Sequence, residues 1–86
     1  MTREQAMEKV NAYNAELKDY TENGLYEDLG VDKNKTVNGG EWFRLWNKAY
    51  NLLHKYYEIG YPILEECRAC GHDVKMNMQS YELILY

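Results

Sequence analysis

The run WFRLWNKAYNLLHKYYEIGYPILEECRACG, residues 42–71, sets the architecture, because its apolar residues repeat with a helical period and are broken once, at Gly60 and Pro62. Stepping about 100° per residue from Trp42, the side chains of Trp42, Phe43, Leu45, Trp46, Ala49, Tyr50, Leu52, Leu53, Tyr56, Tyr57 and Ile59 fill an arc of about 200°. Arg44, Asn47, Lys48, Asn51, His54, Lys55 and Glu58 fill the remainder. An arc about twice the usual stripe means that this helix touches neighbours on two sides, or one neighbour and an outside partner. It is the expected central helix. Gly60 reads as its end, and Pro62 as the first position of another helix, where the missing N–H costs nothing. Ile63, Leu64, Cys67 and Cys70 share the face of that third helix, and Gly71 reads as its C-terminal cap.

Upstream, Thr2 and Gln5 have capping-box spacing ahead of Ala6, Val10, Tyr13, Leu17 and Tyr20, one face of a helix expected from Arg3 to Glu22 and stopped by Asn23 and Gly24. Residues 25–40 read as a loop with a helical turn at Leu25 to Leu29. Downstream of Gly71 the period changes to two: Val74, Met76 and Met78 alternate with polar residues, as do Tyr81, Leu83 and Leu85. That pattern predicts a hairpin turning near Gln79 and Ser80, although Val74, Met78, Tyr81 and Leu85 also fit a helix capped by Asp73. The expected fold is therefore a single mostly helical α+β domain over residues 1–86, a three-helix core with helix 2 central and a short C-terminal β-hairpin; the alternative is all-α.

Composition fits a folded domain of 86 residues, 45% hydrophobic and 28% charged. Nine tyrosines are the unusual figure. A tyrosine has an apolar ring and a polar tip, so an excess suits a small, partly wet core or a recognition surface, and the core reading is the commoner. The sequence has no apolar run of signal-peptide or membrane-spanning length, so a cytoplasmic protein is expected, with reduced thiols.

The end of the run, CRACGH at 67–72, is the one stretch with the residue types of a metal site. Cys67 and Cys70 followed by Gly71 resemble, over six residues, the knuckle of zinc-ribbon proteins, where the glycine turns both thiolates toward one ion. A structural zinc site takes four ligands, and the candidates are Cys67, Cys70, His72 and His54, with no second Cys-x-x-Cys. The favoured reading is a helix end with two packed thiols and no metal or other cofactor. A thiolate nucleophile at Cys70 would sit at the wrong end of a helix dipole. Phosphate-loop, dinucleotide, zinc-protease and calcium-loop motifs are all lacking, and no enzyme is expected.

Charge is more informative. Residues 1–32 hold eight acids against three bases, residues 33–60 five bases against two acids, and the whole chain nets −4. Pairing of the two parts, or two solvated faces, is the plain explanation. The functional one is an acidic surface of Glu16, Asp19, Glu22, Glu27, Asp28 and Asp32 that docks on a basic protein. Arg44, Lys48 and Lys55 form a basic stripe too weak to hold nucleic acid against that background. The expected function is non-catalytic protein binding: a small inhibitor or adaptor of the kind phages and other mobile elements use against nucleic-acid-handling host proteins, acting as a nucleic-acid mimic. Alternatives are a zinc-stabilised module and a homo-oligomer, a homodimer at its simplest, that covers helix 2.

Overall fold

Thr2 opens the chain's first helix as its spacing with Gln5 predicts. The Thr2 hydroxyl accepts from the Gln5 N–H at 3.1 Å, and the Gln5 side chain accepts from the Thr2 N–H at 2.9 Å. In the computed structural model, which describes residues 1–34 and 39–86, the order is α1 (Arg3–Asp19), a π-helical turn (Tyr20–Gly24), α2 (Leu25–Leu29), α3 (Gly39–Ala69), β1 (Val74–Met76) and β2 (Leu83–Leu85). The loop expected over 25–40 includes residues 35–38, which lie outside the described residues.

The first helix does not stop at Asn23 and Gly24. It passes through them in a π turn and runs on to Leu29, the helical turn expected there being its last. One extra residue in a turn moves every later side chain about 100° round the axis. Counted without it, Leu25 and Leu29 fall about 80° and 120° from Leu17; with it, they return to within about 20° of the Leu17 face. The apparent loss of period that suggested a stop is thus a phase shift. Gly24 belongs to the same device: a Cβ there would lie 2.9 Å from Cδ2 of Tyr20, whose ring folds back over the turn. The real stop is Gly30, at φ 73°, with Gly30 N–H donating to Glu27 O and Val31 N–H to Tyr26 O.

The second correction is larger. Residues 39–69 are one unbroken α-helix of 31 residues, so the core has two long helices where three were expected. At about 1.5 Å per residue this helix is about 46 Å long, which is the long dimension of the 46 × 18 × 17 Å molecule. Pro62 withdraws one N–H from the helix interior and sits on the exposed side. Continuity is held by packing on both sides of it: Tyr56 and Gly60 before, Leu64 and Cys67 after, all lie against the buried stripe Ala6, Val10, Tyr13 and Leu17 of α1. A Lys9 to Glu66 ion pair at 2.6 Å and the Tyr13 to Tyr56 contact fix the two helices antiparallel.

Gly60 is a notch. A Cβ on it would lie 2.7 Å from both Cζ and Oη of Tyr13 and 2.9 Å from Cε of Met76. The Tyr13 ring crosses the helix there, and its hydroxyl shares its one proton between the carbonyls of Tyr81 at 2.7 Å and Tyr56 at 2.9 Å. One side chain so joins α1, α3 and the C-terminal hairpin.

That hairpin forms as expected. β1 and β2 pair antiparallel with Val74 opposite Leu85, Lys75 opposite Ile84 and Met76 opposite Leu83. Val74, Tyr81 and Leu83 are buried, whereas Met78 lies exposed in the connection. Asn14 completes the outer edge of β2: its amide donates to Leu83 O at 2.8 Å and accepts from Leu83 N–H at 2.9 Å, as a neighbouring strand would. Tyr81 adopts φ 63°, a strained backbone for a ringed residue, held by its buried ring against Tyr57 and by the Tyr13 hydroxyl on its carbonyl. No helix among the described residues is long and apolar enough to cross a membrane.

Candidate protein-binding face

The side of α3 that meets α1 in its C-terminal half continues toward its N-terminus through Leu53, Ala49, Trp46 and Trp42. There α1 is no longer opposite. The chain has turned through the π segment into α2, which packs along one flank with Leu25, Tyr26 and Leu29 facing Leu45 and Ala49. The hairpin ends at Met78 and Gln79 on the other flank. Between them an open groove of about 590 Å³ is lined by Leu25, Trp42, Trp46, Tyr50, Leu53 and Met78.

Four rings on this end of α3 stay in contact with solvent: Trp42 is 57% exposed, Phe43 69%, Trp46 55% and Tyr50 49%. At roughly 200 Å² per aromatic side chain, they leave about 450 Å² of ring surface uncovered. That matches the largest apolar patch of a typical monomer, roughly 300–600 Å², before Met78 and Leu25 are counted. Trp46 and Tyr50 lie 6.3 Å apart between centroids, and the row continues as His54 on Tyr57 at 5.5 Å and Tyr57 on Tyr61 at 5.6 Å. The nine tyrosines therefore divide in three: Tyr13, Tyr56 and Tyr81 are core, Tyr20, Tyr26 and Tyr57 are half-buried, and Tyr50, Tyr61 and Tyr86 are exposed.

The six acids singled out in the sequence fall into two groups. Glu16, Asp19 and Asp28 surround the Tyr20 and Tyr56 rings. Asp28 accepts from the Tyr20 hydroxyl at 2.6 Å, and Asp19 accepts from Asn23 Nδ2 at 3.1 Å. Burial first, then the Glu16 and Asp19 carboxylates, push the Tyr56 hydroxyl pKa up. Lys55 lies 3.8 Å above the Tyr20 ring, so one member of the basic stripe is drawn into this acidic end, as the plain pairing explanation requires. The second group lies on the α2 side. Asp32 lines the smaller cleft between α2 and α3 with Val31, Lys33 and Trp42, adjoining the groove at Leu25 and Trp42; Glu27 shares a hollow with Asp32 and Lys33, and Glu22 is exposed on the π turn. Arg44 and Lys48 project about 120–160° away from the Trp42 and Trp46 stripe, on the back of α3.

The cysteine stretch is the end of α3. Gly71, at φ 87°, donates to Arg68 O and His72 N–H donates to Cys67 O, the expected glycine cap. Cys67 is buried against α1 and Cys70 is exposed. Burial first, then Glu66, push the Cys67 thiol pKa up. His72 donates from Nε2 to Met1 O at 3.0 Å, tying the N-terminus to this end. His54 lies thirteen residues before Cys67 on the same unbroken helix, about 20 Å away along its axis. The four candidate ligands are not brought together, and no group of three or more His, Cys, Asp or Glu among the described residues is placed to hold a metal ion.

Trp42 and Trp46 were legible as apolar-arc residues but not as site residues. The signal was the 200° width of the arc, which no single packed neighbour needs. Comparison of the chain with protein-family models, with curated proteins and with solved structures returned no match.

Proposed function

We propose that the chain is a non-catalytic protein-binding domain that docks on a basic protein surface through the uncovered aromatic end of α3. The observation that carries this is the core-facing stripe of α3 running about three turns past the core, through Tyr50, Trp46 and Trp42, with Asp32 in the cleft beside it. A ring-rich centre with charged residues at the rim is the composition of a protein interface. The acidic excess of residues 1–32 and the net charge of −4 select a basic partner, and they disfavour direct contact with nucleic acid.

Surfaces that bind nucleic acid are themselves basic, so an inhibitor or adaptor of a nucleic-acid-handling protein, of the phage or mobile-element type and acting in the cytoplasm, is the specific form of this reading. The test is affinity capture with three baits: the wild type, a Trp42→Ser/Trp46→Ser variant, and a variant with Glu22, Glu27, Asp28 and Asp32 neutralised to their amides. A basic protein retained by the first, released by salt and lost with both variants is expected. Retention of the same proteins by all three baits would remove the proposal.

A further inference from the structure

The groove selects the form of its occupant as well as its charge. We infer that it takes an amphipathic helix with bulky apolar side chains spaced three and four residues apart and Lys or Arg on the flank that meets α2; this rests on the protein-binding reading above. The walls are α2, α3 and the tip of the hairpin at Met78 and Gln79. Both strands lie outside the lining, and the outer edge of β2 at Leu83 is already satisfied by Asn14. An extended segment laid on Trp42 and Trp46 would find no ladder to pair with, leaving backbone groups without partners against ring surface. A helix satisfies its own backbone and needs only side-chain contact.

Geometry agrees. Trp42, Trp46 and Tyr50 are spaced four apart and form one ridge on α3, the surface that interdigitates with a second helix. From Trp42 to Leu53 the groove runs about 17 Å, or about three turns of an occupant. The three rings that line it, Trp42, Trp46 and Tyr50, offer about 320 Å², about two fifths of the roughly 800 Å² that one side gives a standard interface. The α2 flank carries Glu27 and Asp32 against one base, Lys33, whose ammonium donates to Asn23 Oδ1, so the facing edge of the occupant is basic. A second copy of this chain would bring a like-charged α2 flank and its own Arg44 and Lys48 on the wrong side of its helix.

The chain's only two tryptophans both line the groove, so their emission reports its occupancy directly. The probe is a synthetic helical peptide of about five turns, with Leu at i, i+4, i+7 and i+11 and Lys on the flanks. It should shift the emission to the blue with saturation and bind about tenfold more weakly when salt is raised across the physiological range. Trp46→Ser, which keeps Trp42 as reporter and the same far-ultraviolet circular dichroism, should bind at least tenfold more weakly. Equal binding by a scrambled peptide, or by one with Glu in place of Lys, would overturn the inference. So would a shift that grows with protein concentration and no peptide, because the occupant would then be a second copy. No shift under any condition, beside a capture experiment that still loses its partner in the tryptophan variant, would overturn the helical occupant and leave protein binding standing.

Discussion

Alanine at Gly60 sets two effects of known size against each other. In a helix interior alanine is favoured over glycine by about 0.8–1.0 kcal/mol, so a glycine with open space around it should be improved by the change. Here the new methyl would stand 2.7 Å from Cζ and Oη of Tyr13 and 2.9 Å from Cε of Met76. The methionine tip can turn aside. The tyrosine cannot, because its ring is buried and its hydroxyl is held by the carbonyls of Tyr56 and Tyr81. Moving it back costs about 1–3 kcal/mol in overpacking and strains hydrogen bonds contributing about 1 kcal/mol each. The clash wins, for a net loss of about 1–3 kcal/mol. At about 4–8 °C per kcal/mol for a domain of this size, Tm should fall by roughly 5–20 °C in a circular-dichroism melt, with the urea midpoint moving the same way. In a Tyr13→Leu background the obstacle is gone, and Gly60→Ala should raise stability by up to about 1 kcal/mol. Gly39→Ala, whose Cβ meets nothing within 4 Å, should not lower it. A wild-type background that gains stability from Gly60→Ala would refute the notch and the packing of α1 across it.

Four further outcomes follow from the geometry. Burial pushes the Tyr13 hydroxyl pKa up to about 12, from an ordinary 10.0, and the Tyr56 and Tyr81 hydroxyls rise as well. Because the unfolded chain ionises first, the Tyr13 contribution is complete below pH 10 and lost as pH climbs toward 12, about 2–3 kcal/mol in all; urea midpoints at pH 9 and 11 should differ, and less so in Tyr13→Phe. Asn14→Leu should lose about 2–4 kcal/mol by stranding both Leu83 backbone groups, with the Leu83 amide exchanging hydrogen faster by NMR. Asn14→Asp should recover stability on acidification, since only a protonated carboxyl can donate to the Leu83 carbonyl. A thiol reagent should modify Cys70 at once in the native protein and Cys67 only on unfolding, so two equally fast thiols would contradict the packing of α3 on α1.

Much of this fold was legible before any coordinates. The Thr2 capping box, the α1 face, the wide arc of residues 42–59, the Gly71 cap and the hairpin all follow from period and cap chemistry. The failures share one cause. Gly24, Gly60 and Pro62 were read as punctuation, which is what local propensity says of them. Two of the three instead sit where a tyrosine ring crosses a helix, a close approach visible only once Tyr20 folds back on its own turn and Tyr13 arrives from α1. Pro62 is carried inside α3 because side chains on either side of it bind the same partner helix. Of the site, sequence gave the acidic excess of the N-terminal region and the excess width of the α3 arc. It could not give the place where α1 ends and the arc is left open, because that depends on the π turn swinging α2 to one flank.

The most direct test of the central claim places a photoreactive residue at position 43. Phe43 is 69% exposed at the open end of α3, so the replacement should leave folding intact; Glu8, exposed on α1, serves as the control position. Irradiation in a cell extract should give a covalent adduct with a basic protein from position 43 and none from position 8, and Trp46→Ser should abolish it. Adducts of the same protein from both positions, or from position 8 alone, would show that the uncovered aromatic end of α3 is not the surface through which this chain binds.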